Sequence, residues 1–310
     1  MTFSRGKPEV LLAAVLLDLV GGDPPDRFHP VSWFGRGARW WEGLVANSKT
    51  GRLVHGSIGA VLLPGLHVAA SAAPIRRVKG LRRILLEAAL LKTTFAVRGL
   101  ITAGDEVARR LEADDLVGAR EALSSLVSRD AASLGRRLVA SAVIESLAEN
   151  VVDSFLAPWL YYAVAGIEGA TAYRALNTLD SMWGYRDEEY EQLGKAAARL
   201  DDAASYLPAT VGARLVIIAG GLLGLAADEG RRLLARDGAS TASPNAGRLM
   251  SAMAGVVGVQ LEKPGAYVVG DPIRALDGDR IQDAQRVVAA TAALGLALAL
   301  GLTVLLGRRR

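Results

Sequence analysis

Apolar residues occur along this chain in long blocks, and the polar positions that interrupt them fall at a few definite places. Residues 287–306, VVAATAALGLALALGLTVLL, carry no charge and run into Arg308, Arg309 and Arg310. A stretch of that length crosses a bilayer, and the arginines form a positive stop. Residues 53–75 are also free of charge, interrupted by His55, Pro64 and His67. Four further blocks are short or spotted: 10–20 with Asp18, 84–103 with Glu87 and Lys92, 138–167 with three acids, and 207–227 with Arg214. Ionisable groups at membrane depth are costly unless they face a bundle interior or a wet cavity. The pattern predicts an all-α integral membrane helical bundle, with about four to six spans and helical loop insertions.

Between the blocks the period changes. Residues 104–130 place apolar positions at helical spacing, which predicts one or two amphipathic helices broken near Gly118 and an insertion covering 104–137. Residues 185–208 read as polar helix ending at Pro208, and 239–247 and 262–272 read as loops. The chain is expected to be a single membrane-embedded domain over 1–310, with polar loops at 168–207 and 229–285 carrying the chemistry. The loops 21–52 and 75–83 each hold five Lys or Arg. One span would put them on opposite sides, so either 53–75 is re-entrant or the positive-inside bias is diluted; the terminal arginines favour the cytoplasm.

Composition narrows the classes. Hydrophobic residues make up 51 % and mean hydropathy is +0.26, with few aromatics, a mixture suited to close helix packing in a membrane. The absence of Cys excludes disulfides, thiolate catalysis and Cys-ligated zinc or iron–sulfur clusters. Net charge is +4, yet no basic stripe is interleaved with aromatics, so nucleic acid is not an expected partner. The cluster IRRVKGLRR (75–83) reads as a membrane-flanking anchor. No secretory signal peptide is expected at the start.

Candidate chemistry is oxygen-rich. In ESLAENVVDSF (145–155), Glu145, Glu149 and Asp153 are four apart and share one helical face, with Ser146 and Asn150 as neutral neighbours. In a solvated helix such acids would be ordinary; inside an apolar block they repel unless a cation or protons intervene. Oxygen ligands without Cys suit Mg²⁺, which bridges to phosphates. In NTLDSMWGYR, Asn177 and Asp180 are of the same type, and Tyr185 and Arg186 follow at a Gly-punctuated turn where a guanidinium would clamp an anion. Asp201 and Asp202 follow Lys195 and Arg199. SPNAG would present Ser243, Asn245 and backbone N–H groups at a helix start, though without the Lys of a P-loop. Asp23 and His29 lie in GDPPDRFHPV, where His before Pro suggests a local hydrogen bond. No Ser–His–Asp arrangement emerges from three histidines.

Six strings then fall in order: GDPPDRFHPV, SRDAASL, ESLAENVVDSFLAPWLYY, ALNTLDSMWGY, AARLDDAASYLPA and SPNAGRLMSAMAGVVGVQL. Together they resemble the adenosylcobinamide-phosphate synthase family, also called CobD/CbiB, over nearly the whole chain. The chain departs from that family at Ala131, where Thr is usual, and at Arg248–Leu249–Met250, where an aromatic, a Pro and a Glu are usual; an acidic role at 250 is therefore not expected.

The resemblance implies a multi-pass enzyme of the cell membrane that joins adenosylcobyric acid to (R)-1-aminopropan-2-ol or its O-phosphate through an amide, with ATP as cosubstrate and Mg²⁺ required. The corrinoid, the aminopropanol and the lipid bilayer are then the partners, and the oligomeric state is left open. On that footing Glu149, Asp153, Asn177 and Asp180 are expected to hold Mg²⁺, and Arg186, Lys195 and Arg199 to neutralise phosphate. Asp201 or Asp202 would take the ammonium proton, with Asp180 also in the catalytic set. Ser243 and Asn245 would orient phosphate oxygens, Asn150 and Tyr185 would contact the cofactor, and His29 and Asp23 would position substrate. Two other classes fit parts of the pattern: a membrane prenyltransferase holding Mg²⁺ and a diphosphate, whose paired acid repeats are incomplete here, and a transporter or sensor with intramembrane acids.

Overall fold

The computed structural model describes residues 5–45, 48–127, 130–185 and 190–308. In chain order the helices are α1 (Pro8–Gly21), α2 (Pro30–Glu42), α3 (Lys49–Arg76), α4 (Gly80–Lys92), α5 (Val97–Glu112), α6 (Leu116–Leu123), α7 (Arg136–Val151) and α8 (Ala157–Trp183). They continue as α9 (Lys195–Leu222), α10 (Ala227–Asp237) and α11 (Pro244–Val257); a hairpin of β1 (Gln260–Lys263) and β2 (Tyr267–Gly270) follows, then α12 (Gly278–Gly307). A short π-helical segment, Val152–Leu156, joins α7 to α8.

By length and composition, α3, α9 and α12 are able to cross a membrane. The protein is an all-α, multi-pass membrane bundle. The spotted blocks end sooner than their apolar runs suggest. Residues 84–103 divide between α4 and α5, α1 has 14 residues, and 138–167 is interrupted first by the π segment and then at Gly166. Gly166 has φ 66°, a left-handed conformation that favours glycine, so the helix path breaks there. The expectation of four to six spans rested on these divided blocks, and three helices among the described residues meet the length and hydropathy a span needs. In contrast, α3 runs unbroken through Pro64 and Pro74, long enough to cross rather than turn back.

Pro208 does not end its helix either. It lies inside α9, where a proline removes the hydrogen bond to the carbonyl four residues earlier. That carbonyl, on Ala204, instead accepts from the Tyr161 hydroxyl at 3.0 Å. A neighbouring side chain thus satisfies the freed group, as burial in a membrane protein requires. The region 168–207, expected as a polar loop, is therefore mostly helix.

The chain forms two compact units. The first comprises Met1–Ala96, Ala157–Ser205 and Leu298–Arg310. In it α1 packs on α4, and α2, α3 and α8 pack together around Phe34, Leu179, Trp183 and Leu193. Glycine permits the closest approach: a Cβ at Gly59 would strike the Trp41 indole, and one at Gly56 the Leu193 backbone.

The second unit comprises Val97–Leu156 and Tyr206–Ala297. The amphipathic reading holds for α5, which buries Val97, Leu100, Val107, Ala108 and Leu111 at helical spacing. The break before α6 falls at Asp114 and Asp115 rather than Gly118. Asp115 caps α6 by accepting from the Gly118 N–H at 2.8 Å, so Gly118 sits in the first turn. α7 is buried from Val139 to Ala148. It packs on α5, α6, α11 and β1. The stretch 262–272, expected as loop, contains an antiparallel strand pair. Its turn places Pro264 second and Gly265 third, with φ 74° at Gly265 and the Ala266 N–H donating to the Lys263 carbonyl. That is the signature of a type II turn.

Candidate functional site

The three stacked acids divide where the helix changes winding. Glu145 and Glu149 lie on α7, whereas Asp153 belongs to the π segment, which breaks the four-residue register; such segments recur at functional positions. Glu145 is buried and accepts from Ser141 Oγ at 2.7 Å and from Tyr267 Oη at 3.0 Å. Ser141 Oγ also receives the Glu262 N–H at 2.8 Å, tying α7 to β1. Glu145, Glu149, Ser146, Lys263 and Tyr267 line a cavity of ≈150 Å³. Asn150, expected as a cofactor contact, is engaged by near neighbours on α7 and the π segment. Its Nδ2 donates to the Ser146 carbonyl at 2.9 Å, and its Oδ1 accepts from Ser154 at 3.3 Å.

Also in the second unit, Ser243 is the residue before α11, with Pro244 in the first turn and the Ser243 side chain making no cap. Its carbonyl accepts from Thr241 Oγ1 at 2.7 Å, and Asn245 is nearly buried. Arg248 donates to Thr210 Oγ1 at 2.6 Å and lies over the Tyr206 ring at 4.5 Å. Leu249 and Met250 are fully buried, so these two of the departing positions serve the apolar core here.

The first unit brings several candidates together at the start of α9. Tyr185, Lys195, Arg199 and Asp202 line a cavity of ≈270 Å³, with Gly184 and Gly194 in its wall. Spacings of four and three put Lys195, Arg199 and Asp202 on one side of the helix. A Cβ at Gly194 would run into the Trp183 carbonyl, and one at Gly184 into the Asp180 carboxylate. Small residues thus let the end of α8 meet the start of α9, with Asp180 beside the cavity wall. Arg186 lies outside the described residues. Asp201, adjacent to Asp202 in sequence, turns the other way. It is buried, and its Oδ2 lies 3.5 Å from Ser205 Oγ; that Ser205 hydroxyl is in turn 3.0 Å from the Tyr173 hydroxyl. Asp202 is exposed, so of the two only Asp202 reaches the cavity.

Farther along the first unit, the His29 Nδ1 accepts from the Val31 N–H at 3.2 Å and caps α2. Burial holds the imidazole below its ordinary pKa; the nearby Asp23 charge opposes this, and Arg174 and Lys92 add to it. Asp23 pairs with Lys92, which is buried and also 3.1 Å from Asp18. Arg174 Nη1 lies 3.4 Å from Asn177 Oδ1. Sequence reasoning missed Lys92 and Arg174 as site neighbours. The available signal was that Asp18 and Lys92 are opposite charges flanked by apolar residues, where such charges are expected to find each other.

Among the described residues, no three His, Asp or Glu side chains converge as a metal-ligand set. Of the expected Mg²⁺ donors, Glu149 and Asp153 belong to the second unit and Asn177 and Asp180 to the first. Each pair offers hard oxygen donors and no soft ones. That fits Mg²⁺ as it is commonly bound, by one or two protein oxygens with water and phosphate completing the shell. It does not fit an all-protein cage.

Residues 11–295 match the profile of the CobD/Cbib protein family. The chain belongs to the CobD/Cbib family. It is 40 % identical over 281 residues, 90 % of this chain and 92 % of the relative, to a probable cobalamin biosynthesis protein CobD of Methanothermobacter thermautotrophicus. The cobalamin biosynthesis protein CobD of Dehalococcoides mccartyi is 38 % identical over 86 % of this chain and 88 % of its own. That of Mycobacterium tuberculosis is 40 % identical over 87 % and 85 %. No solved structure matches the chain. For a CobD/Cbib protein, the α8–α9 cavity combines cations, an acid and glycines in a way that suits a phosphorylated ligand.

Proposed function

We propose that this CobD/Cbib protein acts in cobalamin biosynthesis as an ATP-dependent ligase, joining adenosylcobyric acid to (R)-1-aminopropan-2-ol or its O-phosphate. The observation that carries the reading is the family match across residues 11–295. The grouping of Lys195, Arg199 and Asp202 around one cavity supports it locally.

A carboxylate is a poor electrophile. Transfer of the ATP γ-phosphoryl group to the corrinoid carboxylate gives an acyl phosphate and ADP. Attack by the free amine forms the C–N bond and expels inorganic phosphate, while the ammonium proton passes to a base. Lys195 and Arg199 would hold phosphate oxygens and offset the charge that develops on them. Asp202, on the cavity side of α9, would take the proton, since only the free amine is nucleophilic. Asp201 would instead orient this part of α9 through Ser205 and Tyr173. Tyr185 borders the cavity as a nucleotide contact, and His29 and Asp23 would position substrate. Mg²⁺ on Asn177 and Asp180, or on Glu149 and Asp153, would supply charge neutralisation for the phosphates.

The test is direct. Purified protein in detergent receives ATP, Mg²⁺, adenosylcobyric acid and aminopropanol phosphate, and products are resolved by mass. An amide product with matching ADP is expected, and Asp180→Asn should abolish it while membrane expression persists. Absence of both amide and ATP turnover across several detergents would overturn the reading.

A further inference from the structure

The turn from α3 to α4 gathers Arg76, Arg77, Lys79, Arg82 and Arg83. Two of them are engaged within the first unit: Arg76 with Glu168 at 2.6 Å, and Arg83 with Glu87 at 3.5 Å. Arg77, Lys79 and Arg82 are exposed. Leading to this turn is an apolar groove of ≈640 Å³ between α2, α3 and α4. In its wall Trp33, Trp40, Leu66 and Leu86 are each at least half exposed.

Phe34 packs on His67 and Trp41 on His55, so α2 runs antiparallel to α3. The Trp33 end of α2 therefore lies toward the basic turn. That is the usual level for tryptophan and arginine at a membrane interface. From Leu63 to Ile75 the groove follows α3 for about 18 Å, a little more than one leaflet of a hydrocarbon core about 30 Å thick. An apolar slot one leaflet deep thus ends at three exposed cations.

We propose that this groove binds one anionic phospholipid, with an acyl chain along Trp40, Leu66 and Leu86 and its phosphate on Arg77, Lys79 and Arg82. Charge and length together select this occupant. Basic residues at a leaflet surface attract anionic headgroups, and the apolar walls match a chain rather than a soluble anion. A second copy covering the same face would bring another basic turn of the same sign.

Native mass spectrometry of the detergent-purified full chain tests this, with phosphatidylglycerol and phosphatidylcholine of identical acyl chains supplied in equal amounts. Phosphatidylglycerol adducts are expected to exceed phosphatidylcholine adducts by about fivefold or more. The combined variant Arg77→Gln, Lys79→Gln and Arg82→Gln, whose changes are on exposed side chains, should bring that ratio to about one. Ala70→Trp, which fills the groove wall, should reduce adducts of both lipids, with thermal unfolding checking that it folds. Equal adducts in the wild type, or an undiminished preference in the triple variant, would overturn the proposal. So would a dimer that Ala70→Trp abolishes in the absence of any lipid preference, which would assign the face to a second copy.

Discussion

Beneath the hairpin, the cavity of the second unit holds Glu145 with its carboxylate already occupied by Ser141 and Tyr267. At the start of α9, the cavity of the first unit presents Lys195, Arg199 and Asp202 along one side of a helix, with Arg199 and Asp202 exposed. Both are small polar cavities next to apolar helices, yet they differ in what the charges answer to. A buried carboxylate needs donors to offset its lost solvation, and once it has them it fixes the elements that supply them. Cations on an accessible helix edge keep their capacity for an incoming anion. The first arrangement secures structure, and the second is the one proposed to bind. Of the three stacked acids, Glu145 is therefore architectural.

The sharpest way to break that contrast is kinetic. Lys195→Gln combined with Arg199→Gln should lower turnover in the proposed ligation by about 100-fold or more, roughly 2.7 kcal/mol in the barrier, with little change in the thermal midpoint. Tyr267→Phe should do the reverse, leaving turnover within a few-fold and costing about 1–2 kcal/mol of stability. Steady-state rates and unfolding curves on the same preparations would decide, and an exchange of the two outcomes would invert the comparison. Next in size is Gly194→Ala. Its new methyl meets the Trp183 carbonyl, so stability should fall by about 1–3 kcal/mol, and turnover should fall with it because the cavity wall shifts.

A smaller effect concerns Pro208. Tyr161→Phe orphans the Ala204 carbonyl and should cost about 1 kcal/mol. In a Pro208→Ala background the restored N–H can satisfy that carbonyl, so the same change should cost less. Additive losses in the double-mutant cycle would show that the hydroxyl acts otherwise. The smallest expected effect is a pH dependence in the second unit. The hydrogen bond from Arg236 holds the Asp237 carboxyl below its usual range, and the Gly270 N–H adds to this. Asp271 is held low in the same way by Arg232 and Arg236. A depressed carboxylate contributes stability that is complete above its unfolded pKa, near 3.9, and is lost as pH falls through the folded value. The midpoint should drop by a degree or two below about pH 4, and Asp237→Asn should flatten that slope.

Much of the helical framework was legible because its signals are local. The uncharged run 287–306 lies inside α12, and 53–75 inside α3, since apolar length alone decides whether a helix can cross a membrane. Pro208 misled because a proline ends a helix only when nothing else satisfies the freed carbonyl, and Tyr161 does so from another helix. The hairpin carried its signal in Pro264 and Gly265, but strands of four residues leave too short an alternation to read. At the candidate site, the type and spacing of Lys195, Arg199 and Asp202 could be read from the chain, whereas the pairing of Lys92 could not, because its partner Asp18 comes from another helix.

By itself, then, the sequence determined an all-α membrane protein of the CobD/Cbib family, rich in oxygen donors and poor in every soft ligand. Those properties reside in composition, period and motif order. Only the tertiary structure decided that Asp201 turns inward to Ser205 while Asp202 faces a cavity, that Glu145 is clamped by Tyr267, and that Asp18 meets Lys92. Spacing along a helix fixes which side chains share a face. What that face meets depends on segments far away in the chain, and burial then sets whether a charge supports the fold or remains open to a ligand.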